Sequence, residues 1–310
     1  MSRIHEALKK AEQERSAQGA TPQPHLTLAA VTAPSAFDAV PFAGVPFADE
    51  QITSIGDVRD VDTMLARSQQ REWNPDLGTM LFMSGNESAK GAEEFRTLRS
   101  RLYHLREKMA LKTVLVTSAL PKEGKSFTAA NLAQVLVRQQ GRRVLLVDAD
   151  LRAPRLHLML GTAAGPGLSD YLQAKSDEFS IMQRGAMENL FFIPGGTGIE
   201  DPSESIGNGR LRAFLERVEP LFDWIIVDSP PAVPVSDASI LAKDCDGVLM
   251  VVRSNSTPAA LARKARMEFP EQLLIGIVLN GTKRDVAPYE RYYYESYQKK
   301  GSPPNTGGKT

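Results

Sequence analysis

The chain predicts an α/β fold: a doubly wound, mostly parallel sheet flanked by helices, with a flexible N-terminal extension and a disordered, tyrosine-rich tail. Three observations carry that expectation. Short apolar runs rich in β-branched residues recur between residues 113 and 280 and alternate with helical patterns. The first run, Val114-Leu115-Val116, leads into Ala119-x-x-x-x-Gly124-Lys125-Ser126, the P-loop spacing with alanine at the first glycine position. Two later runs end in carboxylates, and ligands of such sheets bind outside the carboxyl ends of the strands.

Taken in order, residues 1–18 form an amphipathic helix with Ile4, Ala7, Leu8 and Ala11 on one face. So short a helix is marginal alone in water. A partner-docking role and a solvated tail both fit it. Residues 19–87 read as a linker, largely disordered, with Pro22, Pro24, Pro34, Pro41 and Pro46 and no strand or helix period in its first part. Residues 50–75 are charged and mixed and support no assignment. The ordered domain is expected over 88–286. It opens with a helix whose stripe is Phe95, Leu98, Leu102 and Leu105. Glu93, Arg96 and Arg99 form one flank of that helix, which by itself reads as a solvated face with local ion pairs.

Strands are expected at Val114–Val116, Val144–Val147, Leu190–Ile193, Trp224–Val227, Gly247–Val252 and Leu274–Leu279, with helices opening at Lys125 and spanning Asn208–Val218, Ser236–Lys243 and Pro258–Glu268. In the turn Ala119, Leu120, Pro121, Lys122, Glu123, Gly124, Lys125, Ser126 and Phe127, backbone N–H groups and the start of the next helix cradle phosphate. Lys125 reaches the β- and γ-phosphates, and the Ser126 hydroxyl is a natural Mg²⁺ ligand. Asp148 and Asp150 end the second strand and project the same way while the chain is extended. Two such carboxylates repel each other unless a cation lies between them. Asp228, at the end of Ile225-Ile226-Val227, has the Walker B placement of a Mg²⁺-holding carboxylate. Asn280, at the last strand end, is either a donor to a purine base or a turn residue. In the tail, residues 287–310, Tyr289, Tyr292, Tyr293, Tyr294 and Tyr297 are five of the seven tyrosines. Either they form an aromatic interface patch or they are phosphoacceptors, each gaining about −1.5 to −2 charges on modification.

Composition narrows the classes. Lys plus Arg and Asp plus Glu number 37 each, so no net field draws the protein to nucleic acid. Cys245 is the single cysteine, which excludes an intrachain disulfide and fits a reducing compartment. The four histidines have no metal-ligand spacing. No apolar run approaches the roughly 20 residues of a membrane span, and the N-terminus lacks a signal-peptide core. A soluble, cytoplasmic protein is expected.

Together, the Ala119–Ser126 loop, Val147-Asp148-Ala149-Asp150-Leu151-Arg152, Ile225-Ile226-Val227-Asp228-Ser229-Pro230 and the tyrosine cluster closely resemble the bacterial tyrosine kinases of capsule and exopolysaccharide systems, in their stand-alone form. The resemblance covers residues 93–297 and implies a deviant P-loop ATPase fold that autophosphorylates the tail in trans with ATP and Mg²⁺. It implies that Lys125 and Arg152 contact the nucleotide, that Ser126, Asp150 and Asp228 hold the metal, and that Asp148 and Asp150 divide base and metal duties. It also makes Glu93, Arg96 and Arg99 a ring-forming motif. Implied partners are a membrane polysaccharide co-polymerase that activates and recruits the kinase to the inner face of the membrane, further copies of the chain, and a phosphotyrosine phosphatase. The related partitioning and cell-division ATPases carry a signature lysine where Leu120 stands, with Lys122 offset from it, so the resemblance favours the kinase branch. A non-kinase ATPase acting as a positioning switch, or a nucleotide-dependent scaffold, is the alternative.

Overall fold

In a computed structural model, residues 61–83, 91–185 and 187–282 are described. The expected N-terminal helix and the tail tyrosines lie outside them. The strands are β1 (Gln69–Gln70), β2 (Thr113–Ser118), β3 (Val144–Asp148), β4 (Gln183–Arg184), β5 (Leu190–Ile193), β6 (Trp224–Asp228), β7 (Gly247–Arg253) and β8 (Leu274–Asn280). They form one sheet in the order β1-β4-β5-β3-β6-β2-β7-β8. All neighbours are parallel except β4 and β5, which run antiparallel.

The helices that matter for the site are α1 (Val61–Arg67), α2 (Ala92–Arg106), α3 (Lys125–Val137), α4 (Leu156–Leu160), α5 (Leu168–Leu172), α6 (Pro202–Gly207), α7 (Arg210–Val218), α8 (Asp237–Leu241) and α9 (Ala259–Met267). Strand side chains alternate between two cores. Leu115, Leu145 and Val147 join one with Tyr171, Phe214 and Leu241. Val114, Val116, Val144 and Leu146 join the other with Leu102, Ala129, Leu132 and Trp224. Because both faces are covered, the central strands read as unbroken apolar runs. This is the expected doubly wound architecture, and each of the six expected strands is present.

One boundary needs correcting. Residues 61–83, inside the stretch expected as linker up to 87, are an ordered strap around the sheet edge. Met64 on α1 is buried in the first core, whereas Trp73, Met80, Leu81 and Phe82 are buried in the second. Between them β1 extends the sheet beyond β4, with Gln69 N donating to Met182 O at 2.8 Å and Arg71 N to Arg184 O at 2.9 Å. The far end grips α3: Leu81 N donates to Asn131 Oδ1 at 2.8 Å, Phe82 N to Gln134 Oε1 at 3.2 Å, and Asn131 Nδ2 to Thr79 O at 2.8 Å. A segment that crosses from one face to the other buries its apolar residues at irregular intervals. Neither a 2-residue nor a 3.6-residue period survives to announce it.

Candidate functional site

The site lies where β2, β3 and β6 end. After β2 the chain turns through the P-loop, in which Lys122 has φ +67° and Gly124 φ +99°. Four bonds hold this turn, three of them from distant parts of the chain. Glu123 Oε2 accepts from Leu120 N at 2.8 Å, and Thr257 Oγ1 donates to Glu123 Oε1. Arg253 Nη1 donates to Lys122 O at 3.0 Å, and Asn280 Nδ2 to Glu123 O at 2.9 Å. The backbone angle favours glycine at Gly124, and a Cβ there would sit 2.1 Å from Asn280 Nδ2 and displace that amide from the loop. Ala119 is fully buried at the loop base, and Phe127 packs edge-on to Phe95 at 5.8 Å. Beside the loop opens a hollow of ≈ 410 Å³ lined by Leu120, Pro121, Lys122, Glu123, Arg253, Ser256 and Thr257.

Three carboxylates converge under Lys125. Asp148 and Asp228 are register partners on adjacent strands. Lys125 Nζ lies 2.7 Å from Asp150 Oδ2, 3.9 Å from Asp228 Oδ2 and 3.2 Å from Ser126 Oγ. Asp148 Oδ2 accepts from Arg155 N and Leu156 N at 3.0 Å each, and its Oδ1 from Asp150 N at 3.3 Å. Asp150 Oδ1 accepts from Ala153 N at 3.1 Å. Asp228 is fully buried; among the described residues neither oxygen has a hydrogen bond of ordinary length, and Lys125, with the Ser126 hydroxyl and Ser229 N, supplies its nearest compensation.

These distances set the electrostatics. Burial lifts the Asp228 carboxyl to about 6, against the opposing pull of Lys125. Burial, followed by the charge of Asp228, also holds Asp148 well above the usual carboxylate range, against the bond from Leu156 N. Burial would depress the Lys125 ammonium, but Asp228, Asp150 and Asp148 outweigh it and its pKa is raised. A buried carboxylate held above its usual range next to a hydroxyl and a second carboxylate suits a hard cation, so Mg²⁺ fits Ser126, Asp150 and Asp228. Among the described residues no three His, Cys, Asp or Glu side chains are spaced to hold a metal by themselves. A cation here would therefore share its ligands with phosphate, the usual habit of Mg²⁺.

Other expected residues lie as follows. Arg152 directs its guanidinium to Asp237 and Ser203. Asn280 faces the P-loop backbone. On α2, Glu93 pairs with Arg96, and Arg99 Nη1 donates to Val135 O at 3.1 Å within the same chain. Sequence reading missed Thr257, Arg253, Asp237 and Ser203. Each acts across a long stretch of chain on a motif residue, and no local spacing marks such a partner.

Residues 114–302 match the family described as the CobQ/CobB/MinD/ParA nucleotide binding domain. Similar curated proteins include the tyrosine-protein kinase YwqD of Bacillus subtilis (strain 168), 34% identical over 66% of this chain and 85% of that one. Another is the tyrosine-protein kinase wzc of Salmonella typhimurium, 31% identical over 71% of this chain; the match spans only 31% of that larger protein. Among solved structures, the kinase domain of the Escherichia coli tyrosine kinase ETK is 28% identical, with a TM-score of 0.61, over 66% of this chain and 82% of that one.

Proposed function

Because the chain belongs to the bacterial tyrosine-protein kinases, within the CobQ/CobB/MinD/ParA nucleotide-binding domains, we propose that it transfers the γ-phosphoryl group of ATP to tyrosine hydroxyls of its own tail, Tyr289, Tyr292, Tyr293, Tyr294 and Tyr297, on a neighbouring copy. The reaction would regulate capsule or exopolysaccharide synthesis and export. The observation that carries this reading is the convergence of the buried Asp148, Asp150 and Asp228 carboxylates on Lys125 beneath a pre-formed P-loop.

In this reading the P-loop amides, fixed by Glu123, Thr257, Arg253 and Asn280, meet the phosphate charge without reorganising. Asn280, whose amide donates to Glu123 O, is the proposed contact to the purine base. Lys125, paired with Asp150 before nucleotide arrives, turns its ammonium to the phosphates. Ser126, Asp150 and Asp228 would hold Mg²⁺, which when bound neutralises charge on the β- and γ-phosphates. A tyrosine hydroxyl, with a pKa near 10, is protonated at neutral pH and needs a base. Asp148 or Asp150 takes that proton as the tyrosine oxygen bonds to phosphorus and the bond to the ADP oxygen breaks. Burial strengthens Asp148 as a base.

Glu93, Arg96 and Arg99 are proposed to join copies into a ring that brings one tail to the next site. A membrane co-polymerase would activate and recruit the kinase, and a phosphotyrosine phosphatase would reset it. Among the described residues no helix is long and apolar enough to cross a membrane.

The test is intact-mass analysis of the full chain after incubation with MgATP, alone and with the cytoplasmic end of its genomic membrane neighbour. Several added phosphates mapped to the tail are expected. Lys125→Met should lower incorporation by about 10²–10³. Replacing all five tail tyrosines with Phe should leave ATP binding intact and remove most of the added mass. Phosphate release without added mass would establish the ATPase alternative and overturn the kinase reading.

A further inference from the structure

Arg152 stands two residues past Asp150, where a guanidinium at a phosphate site reads as a nucleotide ligand. Its geometry says otherwise. Arg152 Nε donates to Asp237 Oδ2 at 2.7 Å, and Nη2 donates to Asp237 Oδ1 at 3.0 Å and to Ser203 Oγ at 2.9 Å. Ser203 Oγ donates in turn to Asp237 Oδ1 at 2.5 Å. Asp237 opens α8 and is fully buried, and Ser203 lies in the first turn of α6. Burial raises the Asp237 carboxyl, but the bonds from Arg152 and Ser203 outweigh it, so the group stays ionised at neutral pH. Moving the fork to a phosphate would strand that charge without a cation.

The segment that Arg152 belongs to carries both strand-end carboxylates. Ala149 N donates to Asp228 O at 2.8 Å, and Asp148 and Asp150 accept backbone bonds from residues 150–156. Those bonds shape the loop internally and tie its start to β6. The Arg152 fork fastens its outer side by hydrogen bonds to the helices that follow β5 and β6, beside the buried Leu151.

We infer that Arg152 is the pin of this loop and not a ligand of the nucleotide, and that Asp237 and Ser203 are positioning residues that hold Asp148 and Asp150 in register with Lys125 and Asp228. This rests on the MgATP reading of the site. The fork geometry matters, because a lysine ammonium lacks the planar pair of N–H groups that meets both carboxylate oxygens side by side.

The experiment uses the full chain and the variants Arg152→Gln, Asp237→Asn, Ser203→Ala and the Arg152→Gln/Asp237→Asn pair. It measures the Kd for a fluorescent ATP analogue, kcat and KM for tail phosphorylation, and the melting temperature. For both charged positions the expectation is a Kd and KM within about twofold of the parent and a kcat lowered about tenfold or more, with the pair no worse than either single change. Ser203→Ala removes two charge-assisted bonds, one from Arg152 and one to Asp237, but leaves the Arg152–Asp237 pair in place, and should lower kcat about two- to fivefold in a chain that still melts cooperatively. It decides the matter if the charged variants do not fold, and an undiminished kcat there overturns the inference. A Kd raised about tenfold in Arg152→Gln but not in Asp237→Asn would make Arg152 a nucleotide ligand and overturn it as well. A parent chain that does not bind the analogue defeats the reading of the site itself. If the parent binds ATP without labelling its tail, only the kinase reading falls, and Kd and the ATP hydrolysis rate across the same variants still test the pin.

Discussion

At the scale of single residues, Asp228 concentrates the tension in the site. Its folded pKa, about 6, lies above the roughly 3.9 of an unfolded aspartate. Between those values the folded chain binds more protons than the unfolded one, so this group's contribution to stability falls as pH rises through that window. Above about pH 6 the ionised carboxylate is a standing cost of the nucleotide-free protein. Asp228→Asn should therefore stabilise the nucleotide-free chain at pH 7.5 by on the order of 2 kcal/mol, a rise in Tm of about 4–8 °C. The advantage should shrink towards pH 4, and the Tm increase that MgATP gives the parent should be lost. Thermal melts from pH 4 to 8 check all three outcomes. An unchanged Tm at pH 7.5 would show that the buried charge is already compensated.

At the scale of elements, α3 links the phosphate loop to the strap. Its start is the P-loop, and its buried Asn131 and Gln134 hold the backbone of residues 79–82. Asn131→Ala would take from Leu81 N and Thr79 O the side-chain partner that α3 gives them, at a cost of about 2–4 kcal/mol readable as a lower urea midpoint. Gly124→Ala, which forces a side chain into φ +99° against Asn280, should weaken ATP binding more than it lowers Tm, because the strain falls on the loop. The sequence made one half of these relations visible. Lys125, Asp148, Asp150 and Asp228 stand at or just past the ends of strands whose apolar runs announce themselves, so their convergence was legible in the sequence. Thr257, Arg253, Asp237 and Ser203 could not, since a hydrogen bond between distant segments leaves no periodic trace. Arg152 shows the difference within one residue. Its motif position was legible, but its partner was not.

At the scale of the whole molecule, the sheet order was legible only as a class. Alternating strands and helices specify a doubly wound sheet, yet nothing in Gln69-Gln70 or Gln183-Arg184 identifies them as strands that extend its edge. Trp73, 7% exposed and edge-on to Phe192 at 6.2 Å, anchors that end. A Cβ on Gly185 would lie 2.1 Å from the Trp73 ring, so the two positions fit only as a pair. Trp73→Ala should cost about 3–5 kcal/mol in denaturant unfolding and leave the distant carboxylate cluster unchanged. The strap also imposes an order on biosynthesis. The Gln69 side-chain amide finds its acceptor, the Ser180 carbonyl, 111 positions further along the chain. A ribosome therefore releases α1 and β1 long before the edge they complete has been made. Throughout that interval Met64 has no finished surface to cover it, and β1 has no strand to pair with. Loop closure over such a distance is slow, so the first part of the domain to be translated is among the last to settle.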